Sequence, residues 1–186
     1  IWDQAEAEAR DVVTEIPDGT YEAESFLDND GRDTTTPLRV KTKVTIKGSD
    51  MVIDYTGMNP QVNSPLNSGH SGGLAAARIA FKCLTLPNAP VNEGCFRPLE
   101  LISPEGTMVN AKSPAAIGLW SVAMPTVVDT ILKALAPALP ERIPAAHKAD
   151  MGGCSFHGFW EDSGKRFLLM NIMGGGWGGK PGGDGE

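Results

Sequence analysis

The sequence predicts an α+β fold, a mixed or antiparallel sheet with one β-hairpin and two to three amphipathic helices. Three observations predict it. Residues 38–47 (LRVKTKVTIK) alternate apolar and basic side chains with period two. Gly48-Ser49-Asp50 then turns the chain into a second strand over residues 51–55, which makes a hairpin. Outside this region, apolar residues recur at helical spacing near the N-terminus, after residue 73 and after residue 125.

The totals agree with one soluble core. The chain has 186 residues, of which 41% are hydrophobic and 21% charged, so residues 1–186 are expected to form a single domain. The net charge is −7 and the basic residues do not cluster into a stripe, so nucleic acid is excluded as a partner. No apolar run approaches the ~18 residues of a membrane span, and no signal-peptide pattern is present. A cytoplasmic protein with no membrane partner is expected. Cys83, Cys95 and Cys154 are odd in number and unpatterned in spacing, which argues for reduced thiols, with Cys83 packed in an apolar helix.

Taken in order, Trp2, Ala5, Ala9, Val12, Val13 and Ile16 make one apolar stripe opposite a mostly acidic face, a helix ended by Pro17-Asp18-Gly19. Residues 20–27 read as a strand. Asp28-Asn29-Asp30-Gly31 follows as a turn, since Asp28, Asp30 and Asp33 do not match the spacing of a calcium loop. The 38–47 strand places Leu38, Val40, Thr42, Val44 and Ile46 on one face and its basic residues on a wet one. A helix with Leu74, Ala77, Phe81 and Leu84 in line stops before Pro87; its glycine-rich start is a weak anion-site signal, and no P-loop motif occurs anywhere. Residues 87–98 are loop, 99–102 a short strand, and 104–107 a turn. Pro125 sets the expected start of the last helix at Thr126, with Val127, Val128, Ile131, Leu132 and Leu135 as its core stripe. Residues 167–173 (FLLMNIM) form a continuous apolar run, the pattern of a strand buried on both faces.

Three places could carry chemistry. The loop after residue 55 holds Asn59, Gln61, Asn63 and Asn67, whose amides can fix a polar ligand or brace a neighbouring loop, or serve only as turn residues. His147, Asp150, Cys154 and His157 are four metal-capable side chains within eleven residues, but their spacing matches no zinc pattern and Gly152-Gly153 interrupt it, so satisfied polar residues in a turn are expected there. The 174–186 tail is glycine-rich around Trp177. It reads as a loop whose main chain passes close to something, because a linker has no use for a large apolar ring. Asp184 is a base there if buried beside a ligand, and otherwise a turn aspartate.

Three stretches together resemble one family. They are IPDGTYEAE with the acidic turn after it (16–30), IDYTGMNPQVNSPLN (53–67), and PVNEGCFRPLELISPEGTMVNAKSPAA (90–116) joined to the glycine-rich tail. The chain is similar in these to the B subunit of the hydantoinase/5-oxoprolinase family, whose relatives include N-methylhydantoinase, caprolactamase and the acetone and acetophenone carboxylases. Ile1 inside a helical pattern and the glycine tract at the other end agree with a central segment of such a subunit.

The resemblance implies an ATP-dependent amidohydrolase. A hydantoinase A-type ATP-binding partner phosphorylates the carbonyl of a small-molecule cyclic amide, and the B subunit completes ring hydrolysis. ATP and Mg²⁺ are then implied on that partner, and a divalent metal in the part of the B subunit that precedes this segment; no cofactor or metal is expected on these residues. Within the segment, Asn59, Gln61, Asn67, Gly175, Gly176 and Asp184 are the residues expected to position substrate or an activated intermediate, while the catalytic residues are not identifiable. An isolated segment is expected to be inactive. Two alternatives stay open: a segment of an ATP-dependent ketone carboxylase, and a scaffold between subunits with no chemistry.

Overall fold

The computed structural model describes residues 1–148 and 152–185. The alternating strand is where the core begins. β2 (Leu38–Lys47) turns Leu38, Val40, Thr42, Val44 and Ile46 inward, all buried, and leaves its basic residues outside. It pairs antiparallel with β1 (Gly19–Leu27) on one side and β3 (Asp50–Asp54) on the other; β3 pairs in parallel with β4 (Leu99–Ile102). The sheet order is β1-β2-β3-β4, so the expected hairpin is its centre. Wet-face charges pair across the strands, Arg39 with Glu24 at 2.8 Å and Lys41 with Glu22 at 3.0 Å.

Three helices complete the α+β fold. α2 (His70–Thr85) and α3 (Trp120–Leu135) pack against each other, and α3 lies on β1 and β2. Thr42 donates its hydroxyl to the Thr130 carbonyl at 3.2 Å, a polar tie between sheet and helix inside an otherwise apolar contact. α1 (Trp2–Val13) buries Ala5, Ala9 and Val13 and packs on a 3-10 turn at Glu93–Phe96. At Gly94 a Cβ would lie 2.2 Å from the Trp2 carbonyl oxygen, so only glycine admits this approach. Trp2 itself stands outside the core with the Arg97 guanidinium over its ring at 5.9 Å.

Several sequence expectations shift. α2 begins at His70, before the glycines rather than after them. Gly73 lies in its first turn, where a Cβ would meet the Val109 carbonyl oxygen at 2.7 Å; the glycine serves close packing. α3 begins six residues before Thr126 and runs through Pro125. A proline there forfeits one main-chain hydrogen bond, and burial of Ala123, Met124 and Val127 on both sides of it outweighs that loss. Cys83 is exposed, because it falls beside rather than on the stripe formed by Ala76, Ala80 and Leu84. The acidic turn is held by its own side chains: Asp30 Oδ1 accepts from the Arg32 and Asp33 amides at 2.8 and 2.7 Å.

The largest correction concerns the apolar run. β5 (Gly152–Phe159) and β6 (Arg166–Met173) form a separate two-stranded antiparallel sheet. The strand exists as expected, but its burial does not: Leu168 is 67% exposed and Met170 66%. Among the described residues no helix or further strand is layered over either face, so the apolar pattern has no core to enter. No helix among them is long and apolar enough to cross a membrane.

Candidate functional site

The amide loop is built by reciprocal main-chain bonds with the loop after β4. The Asn59 carbonyl accepts from Met108 N at 2.9 Å, Gln61 N donates to the Gly106 carbonyl at 2.9 Å, and Ser68 N donates to the Met108 carbonyl at 2.7 Å. The side chains finish the work. Asn67 is fully buried; its Oδ1 accepts from Val62 N at 2.8 Å and its Nδ2 donates to the carbonyls of Val62, Ser64 and Ala116. Gln61 Oε1 accepts from Lys112 N at 2.8 Å, and Asn59 Nδ2 donates to the Pro60 carbonyl at 2.9 Å. Of the uses the sequence left open, bracing a neighbouring loop is the one seen in these bonds. Tyr55, buried just upstream, donates its hydroxyl to the Gly73 carbonyl at 3.0 Å and ties the same region to α2; burial pushes its phenol upward.

The glycine-rich tail makes a concavity instead. Gly178 N donates to the Ala145 carbonyl at 3.1 Å and Ala145 N to the Gly179 carbonyl at 2.8 Å, so the tail runs beside the segment after α3. A Cβ on Gly178 would come within 2.6 Å of the Ala145 Cβ, and one on Gly185 within 2.8 Å of the Trp177 carbonyl oxygen. Close main-chain passage is therefore the reason for glycine here. Between this tail, α2 and α3 lies a cavity of about 350 Å³, whose polar lining is Cys83, Arg142, Lys180 and Asp184 and whose apolar wall includes Leu132 and Trp177. Asp184 thus reaches a cavity. Gly175, Gly176, Asn59, Gln61 and Asn67 do not line it; Gly175 packs against the Lys148 side chain.

A second cavity of about 660 Å³ shares the wall formed by Leu132, Ile143 and Pro144 and includes Asp129. Asp129 sits on α3, nearly buried. His147 Nδ1 lies 3.1 Å from its Oδ2, near enough for an ion pair though not aligned as a hydrogen bond. The imidazole also packs on Trp177, with ring centroids 4.9 Å apart. Burial pushes the Asp129 carboxyl above its ordinary value, against the opposing pull of His147. Sequence reading missed Asp129, Arg142 and Lys180. Asp129 was visible as an acid inside the run Val127, Val128, Ile131, Leu132, where every neighbour in the helix enters the core.

Of the four metal-capable residues, the three that are described do not assemble. His147 is turned to Asp129, and the register of the hairpin puts Cys154 and His157 on opposite faces. Asp150 lies outside the described residues. Among the described residues, no three His, Cys, Asp or Glu side chains converge in a way that could hold a metal ion.

The Hydantoinase B/oxoprolinase family matches residues 1–186. The chain belongs to this family. Among curated relatives, a protein assigned as the B component of a D-/L-hydantoinase in Pseudomonas sp. (strain NS671) is 33% identical over 196 residues, covering all of this chain and 32% of that protein. The 5-oxoprolinase PfmaA of Pestalotiopsis fici is 31% identical over 83% of this chain and 12% of its own length, and the caprolactamase β-component of Pseudomonas jessenii 27% identical over 77% and 25%. The chain therefore spans about a third or less of the length of these relatives. Two solved structures share its fold: an ATP-dependent caprolactamase from Pseudomonas jessenii (TM-score 0.81, 24% identity, 90% of this chain and 29% of that one) and an acetone carboxylase in a nucleotide-free state (TM-score 0.78, 14% identity, 97% and 26%).

Proposed function

We propose that this chain is part of the B subunit of an ATP-dependent amidohydrolase that opens cyclic amides, namely hydantoins, 5-oxoproline or lactams, after an A-type partner has phosphorylated the ring carbonyl. The observation that carries the reading is the family match over residues 1–186, together with curated relatives named for hydantoinase, 5-oxoprolinase and caprolactamase. Two of those relatives are named as subunits, which agrees with a separate partner. The chemistry is coherent: a ring amide is resonance-stabilised, and its phosphorylated imidate is a far better electrophile.

In this reading the 350 Å³ cavity is where the segment meets substrate. Its size suits a small ring, Trp177 offers an apolar face, Lys180 and Arg142 offset negative charge, and Asp184 accepts a hydrogen bond or proton from the attacking water. Gly175 and Gly176 belong to the tail that carries Trp177, and Asn59, Gln61 and Asn67 position the activated intermediate at a separate part of the site, because the loops they brace do not line this cavity. ATP with Mg²⁺ belongs to the A-type partner. The divalent metal belongs to the part of the B subunit that precedes these residues, as the family resemblance implies.

The test is the full-length subunit co-expressed with its A-type partner and assayed for ADP and ring-opened product with hydantoin, 5-oxoproline and caprolactam. Amide-dependent ADP release with product is expected. ADP release only with a ketone and bicarbonate would replace the reading with a carboxylase, and unchanged turnover in Lys180→Met and Asp184→Asn would reduce this segment to a scaffold.

A further inference from the structure

The hairpin of β5 and β6 is the part of the molecule that the proposed function leaves unused, and both of its faces carry large exposed apolar side chains, beside Asn171 on one and Ser155, His157 and Arg166 on the other. Its register puts Phe156 opposite Leu169, with Met173 and Phe167 along the same face; Met170, Leu168, Ile172 and Phe159 occupy the other. Phe156, Leu168, Leu169, Met170 and Ile172 are all more than half exposed. Each strand has one neighbour only, so both outer edges carry unpaired main-chain groups among the described residues. An isolated two-stranded hairpin is marginal in water, and one with exposed apolar side chains on both faces and two open edges is a template for aggregation.

We infer that this hairpin is a central strand pair of a larger sheet, completed and covered on both faces by residues of the same subunit outside this segment. A separate partner docking on the hairpin covers one face. Covering two faces while extending two edges requires a sheet folded around it. A two-stranded hairpin is marginal by itself, which favours a cover that forms with it in the same chain. The material exists in the family: two thirds of the Pseudomonas hydantoinase relative lies outside its match to this chain. The continuous apolar run in β6 is the pattern of strands buried on both sides.

Hydrogen exchange on the full-length subunit, alone and over a range of concentrations, tests this without any substitution. Amides of residues 152–159 and 166–173 are expected to exchange on the order of a hundredfold or more slowly than in unstructured chain, independently of concentration and before any partner is added. Protection that appears only with the A-type partner would assign the surface to that partner. Protection that grows with concentration would assign it to a second copy, and free exchange throughout would leave it facing solvent; each of these overturns the inference. The pair Leu168→Asp and Met170→Asp, made together, should abolish the protection while an exposed control, Glu161→Lys, leaves it intact.

Discussion

Asn67 Nδ2 donates to the carbonyl of Ala116 at 3.1 Å, joining two loops that lie forty-nine positions apart in the chain. The same nitrogen serves Val62 and Ser64, and Oδ1 serves the Val62 amide, so one buried carboxamide closes its own loop and fastens it to another. Both ends of the amide are required, which is why neither a carboxylate nor an aliphatic side chain can substitute.

Asn67→Ala should therefore act first on stability. It strands several buried main-chain groups, a loss of about 3 kcal/mol. Thermal unfolding of the full-length subunit should show a clear fall in Tm, with Asn63→Ala, at an exposed position of the same loop, close to wild type.

Acid should weaken the sheet through Asp54. Burial raises this carboxyl, but the Lys43 ammonium at 2.7 Å and the Thr56 N–H outweigh it, and the net shift is downward. A folded pKa below the unfolded one contributes stability above the ordinary carboxylate range and loses it as pH falls through the folded value. Asp54→Asn should lower Tm near pH 7, and the difference from wild type should shrink below about pH 3.

Asp129 should behave in the opposite sense. Its pKa is raised by burial, so its contribution is most favourable below the unfolded value near 3.8 and declines as pH rises through the folded one. Comparing Asp129→Asn with wild type by thermal unfolding, the Tm difference should move in favour of the variant between about pH 4 and pH 7. A difference that moves the other way would mean that pairing with His147 dominates over burial.

At the cavity, Lys180→Met and Asp184→Asn remove charge from exposed side chains and should leave Tm nearly unchanged. In the assembled enzyme, kcat/KM for the cyclic amide should fall by about tenfold or more in each, as expected for lost charge stabilisation or proton transfer. Cys83→Ser, in the same lining, should be close to wild type in both measurements.

Much of the fold was legible because it rests on local periodicity. β2 and β4 have the predicted bounds, β1 starts one residue early, β3 is shifted by one residue at both ends, and Asp30 and Asn29 close the acidic turn with their own side chains. Pro125 misled because its local cost is visible in sequence, whereas the burial on either side of it depends on β1 and β2. The tail was legible in part: glycines around Trp177 imply close passage, which the contacts with Ala145 show, whereas Asp184, expected as a base only if buried, lines the cavity as an exposed side chain. Arg142 and Lys180 were invisible as a pair because their neighbourhood is created by the tail running back along residues 143–147, and the same segment brings His147 to Asp129.

By itself, then, the sequence determined the α+β class, the β2–β3 hairpin, the acidic turn and the family resemblance, since each is written in spacing of two or three to four residues or in contiguous motifs. Tertiary structure alone decided that Asn67 is a brace, that Cys83 lies outside the core, and that FLLMNIM stands uncovered within this segment. Hydrogen-bond partners and burial are properties of chain segments brought together from far apart, and periodicity says which side chains can be buried without saying what is there to bury them.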